Sequence, residues 1–172
     1  MACDFTSYDE MQQVGTWYGG GSRRGVEVST GYACIGTTAD SLTFKLKRTG
    51  SPTGTCKFAI WSSGNVEQVN FGTLDVTTID DSTETDYTLD TPSTTYNIQA
   101  GDIMAVEFTG GDSSNFIACA IDNSTSAANE ALADYPSNAW RFNDDRICYY
   151  KLNYESPIVS SGLLLPPPVA WI

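Results

Sequence analysis

Ser41-Leu42-Thr43-Phe44-Lys45-Leu46-Lys47-Arg48-Thr49 is followed by Gly50-Ser51-Pro52-Thr53-Gly54 and then by Thr55-Cys56-Lys57-Phe58-Ala59-Ile60. In the first run Leu42, Phe44 and Leu46 alternate with Thr43, Lys45 and Lys47, and beyond the Gly/Pro cluster Cys56, Phe58 and Ile60 resume the period of two. Alternation places one apolar face on a core, the mark of a half-buried strand. A proline that presets φ and glycines that permit positive φ suit the turn, so the stretch predicts a β-hairpin.

Working outward, the same period predicts strands over 26–35, 66–71, 86–89, 94–98, 102–109, 115–121, 138–142 and 146–154, with Gly-, Asn- and Asp-rich turns between them. The one predicted helical turn is 124–133, where Ala, Glu and Leu dominate. A chain of 172 residues with 41% hydrophobic and 12% aromatic side chains holds one domain with a sizeable core. The fold class expected is all-β: a two-sheet β-sandwich, most simply a jelly roll. An N-terminal arm (1–24) precedes the sandwich (25–155), and an extended apolar, Pro-rich C-terminal tail (156–172) follows it.

Composition removes whole classes of function. Nine basic against 21 acidic residues leave a net charge of −12, which argues against nucleic acid or an anionic lipid surface as partner. There is no histidine, so Ser-His-Asp and Cys-His catalysis and the usual zinc and copper sites are excluded. No apolar window is long enough for a membrane helix, and no basic-then-apolar leader opens the chain. The five cysteines Cys3, Cys34, Cys56, Cys119 and Cys148 contain no CxxC pair. They are read as buried thiols behaving as small hydrophobes, with one or two disulfides as the alternative.

The segments Ser41 to Gly54 quoted above, Phe71-Gly72-Thr73-Leu74-Asp75 and Gly101-Asp102-Ile103-Met104-Ala105-Val106-Glu107-Phe108-Thr109-Gly110-Gly111 carry a resemblance. Over residues 25–155 the chain resembles a jelly-roll-like β-sandwich module of archaeal and marine microbial surface proteins and of some of their viruses. The resemblance implies a jelly-roll-like fold and a place on a surface or particle, and it implies no chemistry. The stretch 122–136 departs from the Asp- and Gly-rich loop of that module.

Three groups of residues are candidates for function. The first is for assembly. Residues 21–60 carry six bases, among them Arg23, Arg24, Lys45, Lys47 and Arg48, whereas 61–138 carry thirteen acids and no base. Either the two stretches interleave in one body, or a basic face meets the acidic face of a neighbouring copy. The tail adds Leu163-Leu164-Leu165-Pro166-Pro167-Pro168-Val169-Ala170-Trp171-Ile172, in which Leu163, Leu164, Leu165, Val169, Trp171 and Ile172 are expected to dock on an apolar surface. The second group is acidic: Asp80, Asp81 and Glu84, and Asp144 with Asp145, are oxygen clusters that suit calcium. The third, Trp17, Tyr18, Trp61 and Trp140, would form a sugar-stacking platform.

The expected function is therefore a non-enzymatic structural subunit of a virion or extracellular surface assembly, whether capsid, decoration protein or filament. Its expected partners are other copies of itself, with a second structural protein or glycans as further ones and calcium as the candidate cofactor. A carbohydrate-binding or host-attachment module is the alternative.

Overall fold

The computed structural model describes residues 3–15, 22–123, 130–134, 140–143 and 146–155. Its strands are β1 (Cys3–Phe5), β2 (Glu10–Val14), β3 (Ser22–Val28), β4 (Thr38–Thr49), β5 (Thr55–Trp61), β6 (Glu67–Asp75), β7 (Thr85–Leu89), β8 (Ile103–Phe108), β9 (Phe116–Asp122), β10 (Glu130–Asp134), β11 (Arg141–Asn143), β12 (Ile147–Cys148) and β13 (Tyr150–Glu155). They form two antiparallel sheets. The seven-stranded sheet follows the order β1-β13-β4-β9-β12, with β2 also on β9 and β7 also on β4; the six-stranded sheet follows β11-β10-β3-β8-β5-β6. This is an all-β two-sheet sandwich.

The alternation read from the sequence sets which side chains lie between the sheets. Leu42, Phe44 and Leu46 of β4 join Cys56, Phe58 and Ile60 of β5, Met104, Val106 and Phe108 of β8, and Ile117, Cys119 and Ile121 of β9 in one core cluster. The Phe44 and Phe58 rings meet edge to face across the core, with centroids 5.1 Å apart. Each such buried side chain contributes about 1.5–3 kcal/mol, and the edge-on ring geometry adds about 0.5–1.5 kcal/mol.

The predicted hairpin of 41–60 is not one. β4 pairs with β13, β7 and β9, whereas β5 pairs with β6 and β8, so residues 50–54 carry the chain from one sheet to the other. Alternation specifies the face that a strand buries and leaves its partner open. Gly50 sits at the crossing with φ 67°, and a Cβ there would lie 2.3 Å from the Ser114 carbonyl oxygen. The Ser51 amide donates to Asn115 Oδ1 at 2.8 Å, which ties the crossing to the turn before β9.

Other expectations also change. The 26–35 strand ends at Val28, and 94–98 contributes a single bridge, Thr38 to Asn97. Of the predicted helical turn 124–133, residues 130–133 belong to a strand, β10, which lies between β3 and β11. Ladder pairing to β3 outweighs the modest helix propensity of Ala, Glu and Leu. The expected arm 1–24 is largely sheet: β1 pairs with β13, β2 with β9, and the first residues of β3 with β8. The expected tail 156–172, including Leu163, Leu164, Leu165, Val169, Trp171 and Ile172, lies outside the described residues, as do Trp17, Tyr18, Asp144 and Asp145.

Candidate functional site: the outer faces of the two sheets

In β5 and β8 the apolar runs Phe58-Ala59-Ile60-Trp61 and Ile103-Met104-Ala105-Val106 do not alternate, the pattern of a strand covered on both faces. Registers between β3, β8 and β5 arrange the outward residues in three rows: Arg23, Glu107 and Lys57; Gly25, Ala105 and Ala59; Glu27, Ile103 and Trp61. Ala59, Trp61, Ile103 and Ala105 form a second apolar cluster, separate from the core, with Trp140 packed against it. Gly25 completes the strip by necessity, since a Cβ there would lie 1.8 Å from the Met104 carbonyl oxygen.

A charged rim closes one end of this strip. Glu107 accepts from Arg23 Nε at 2.6 Å and from Lys57 Nζ at 2.9 Å, and Lys57 also reaches Glu67 at 2.6 Å. Burial works against the Glu107 charge, yet the Lys57 and Arg23 hydrogen bonds outweigh it and hold the carboxyl below its ordinary value. Arg23 also lies over the Trp61 ring at 4.5 Å and 5.8 Å from the Trp140 ring, a cation–π contact that anchors the rim to the apolar strip. The Trp61 and Trp140 centroids are 6.2 Å apart.

Trp61 and Trp140, two of the four expected sugar-stacking residues, are thus brought together. Trp61 is only 1% exposed, so it presents no open ring face to a sugar. Trp140 packs against the buried cluster to which Trp61 belongs. Glu107 and Gly25 were not singled out by sequence, and Lys57 only as one of the six bases of 21–60; the unbroken apolar runs in β5 and β8 were the available signal.

The outer face of the seven-stranded sheet is polar. Asp86 bridges Lys45 at 2.7 Å and Lys151 at 2.6 Å and accepts from the Tyr149 hydroxyl at 2.8 Å. Lys45 lies 4.7 Å from the Tyr149 ring and 5.3 Å from that of Tyr8, which is 41% exposed. Burial opposes the Asp86 charge, but the hydrogen bonds from Lys151, Lys45 and Tyr149 prevail and bring its pKa to about 2. A folded-state pKa below the unfolded value means that this stabilisation is complete above about pH 4 and is lost as pH falls toward 2. In acid titration of the melting temperature, Asp86→Asn is expected to start lower at neutral pH and to lose less between pH 4 and 2 than the parent. Parallel pH profiles would refute this role for Asp86.

Most bases of the basic stretch pair with acids of the same chain. Besides Lys45 with Asp86 and Arg23 with Glu107, Lys47 pairs with Glu84 at 3.2 Å and Arg48 with Asp81 at 3.0 Å. Arg24 donates to Gln12, linking β3 to β2. Arg23, Lys45, Lys47 and Arg48 thus each have an acidic partner in their own chain, the interleaved arrangement that was one of the two expected. The basic stretch lies beside the acidic one in the sheets, as Lys45 opposite Asp86 in the β4–β7 register illustrates.

The proposed calcium cluster does not converge either. The Asp80 carboxylate accepts from the backbone amides of Ser82 and Thr83 and the Ser82 hydroxyl, while Asp81 and Glu84 face Arg48 and Lys47. Among the described residues no group of three or more His, Cys, Asp or Glu side chains is placed to hold a metal. Asp80 closes its own turn, the ordinary use of an aspartate there. No described helix is long and apolar enough to cross a membrane. Comparison of the chain with protein-family models, with curated proteins and with solved structures finds no match.

Proposed function

We propose that this chain is a non-enzymatic structural subunit that builds an extracellular or viral assembly from copies of itself, using the outer strip of the six-stranded sheet as the seat for segment 163–172 of a neighbour. The observation that carries the reading is the apolar cluster of Ala59, Trp61, Ile103 and Ala105, which lies on the opposite side of the sheet from the core. A sheet face that only met water would alternate to polar side chains at these positions.

The segment matches the seat in chemistry. It carries ten residues without a charged side chain, the Trp171 indole N–H being its one side-chain hydrogen-bonding group, and its three consecutive prolines disfavour regular strand pairing. An extended strap laid over small residues keeps its Leu, Val, Trp and Ile side chains against the strip. Gly25, Ala59 and Ala105 let such a strap approach the sheet closely. Ala59, Trp61, Ile103 and Ala105 are at most 1% exposed within one chain, so a neighbour's segment would have to take the place of what already covers the strip, and such an exchange is a low-cost way to link identical subunits. The resemblance of residues 25–155 to surface and virus modules supports a place on a particle or cell surface.

The test is truncation after Ser161, with particle mass followed by light scattering over a range of concentrations. Full-length chain is expected to form multimers and the truncated chain to remain a folded monomer. Multimers of unchanged size after truncation would remove segment 163–172 from the interface.

A further inference from the structure

We infer that four of the five cysteines are two preformed disulfide sites, Cys119 with Cys148 and Cys3 with Cys34, and that Cys56 alone stays a thiol. Cys119 lies on β9 and Cys148 on β12, where Cys148 pairs directly with Ile121. Cys119 lies two residues along the same face of β9, so the thiols meet diagonally, and their Sγ atoms are 3.1 Å apart. Cys3 on β1 and Cys34 in the turn after β3 are both buried in the core, and their thiols share a hydrogen bond.

The spacing along the chain explains why sequence does not show the pairs. Cys119 and Cys148 are 29 positions apart, and they are joined through β10 and β11 of the other sheet. Cys3 and Cys34 are joined through β2 and β3. Cys56 has no comparable thiol neighbour at bonding distance; burial pushes its pKa up to about 12, which keeps it protonated and inert.

Each bond forms by thiol–disulfide exchange with a small-molecule disulfide such as oxidised glutathione. One cysteine thiolate attacks the glutathione disulfide and releases one glutathione thiol, giving a mixed disulfide. The partner thiolate then displaces the second glutathione. The protein pair loses two electrons and two protons, and these appear in two molecules of glutathione thiol. All four thiols are buried in the finished fold, where a glutathione disulfide has no access to them, so exchange belongs to the folding chain, before the core closes.

The test is refolding of the full-length reduced chain in a glutathione redox buffer, then denaturation with excess maleimide, intact mass and non-reduced peptide mapping. The expected product carries one maleimide, on Cys56, with cross-linked peptides joining Cys119 to Cys148 and Cys3 to Cys34. The bridged chain is expected to melt on the order of 10 °C above the reduced chain. In Cys148→Ala, Cys119 should become labelled while the Cys3–Cys34 cross-link persists. Maleimide on both members of a pair in the refolded parent, or cross-links that involve Cys56, would overturn the assignment. This result is independent of the assembly reading, since the bonds lie inside one chain.

Discussion

Trp61→Ala is expected to lower the unfolding free energy by about 3–5 kcal/mol, the usual cost of truncating a buried tryptophan. The residue is 1% exposed although it stands on the outer face of its sheet, so its whole ring area is lost from the apolar strip. Three further contacts go with it: the Trp140 ring, the Arg23 guanidinium and the Lys57 ammonium, the last at 5.5 Å. The cavity would open beside Ile103, its direct partner on β8. Denaturant unfolding with an unchanged m-value measures the loss. If Trp61 only completed an ordinary surface, the change would stay within about 0.5 kcal/mol, and the strip would not be a seat. The proposed assembly should weaken with it. Trp61→Phe, which keeps an aromatic ring over the strip, is expected to recover part of both effects.

Glu107→Ala is expected to cost about 1–3 kcal/mol, more than an exposed pair and less than a fully buried one, because Glu107 and Arg23 are half-buried. Its carboxylate is the shared partner of Arg23 and Lys57, which face it from the two neighbouring strands. Lys57 retains Glu67 and Arg23 retains its hydrogen bond to Asn65, so the variant removes the shared acceptor between the two strands without stripping either cation of every partner. Glu107→Gln preserves the shape and an acceptor oxygen and should cost less than the alanine variant. A double-mutant cycle of Glu107→Ala with Arg23→Ala should return a coupling well above the 0.2–1 kcal/mol of an exposed pair. A coupling inside that range would show that the rim is solvated surface and does not brace the seat.

Much of this molecule was legible in the sequence through one physical rule. Strand side chains alternate, so Leu42, Phe44, Leu46, Cys56, Phe58 and Ile60 declare their burial without any knowledge of their partners, and most strands follow from the same period. The all-β class follows from that period and from the turn residues between the runs. Part of the site was legible too, since Arg23 stood out in the basic stretch and Trp61 and Trp140 among the four tryptophans. What escaped were relations between distant segments. Gly50 to Gly54 reads as a hairpin turn, yet it crosses between sheets, because its direction is set by the packing of Gly50 against Ser114. Glu130 to Asp134 has helix-forming residues, yet it is a strand, because the β3 edge offers a ladder that propensity of a few tenths of a kcal/mol per residue does not outweigh.

By itself the sequence determined the fold class, the faces of most strands, the excess of negative charge and the exclusion of histidine chemistry. Tertiary structure alone decided the rest. The basic stretch neutralises the acidic one within the chain because antiparallel registers bring Lys45 to Asp86 and Arg23 to Glu107. The apolar runs of β5 and β8 become a second buried cluster because those strands are adjacent in the sheet, and Cys119 meets Cys148 because β12 folds back onto β9. Local pattern encodes what a residue does to its own strand. Register encodes which residues meet, and it depends on the free energy of the whole sandwich.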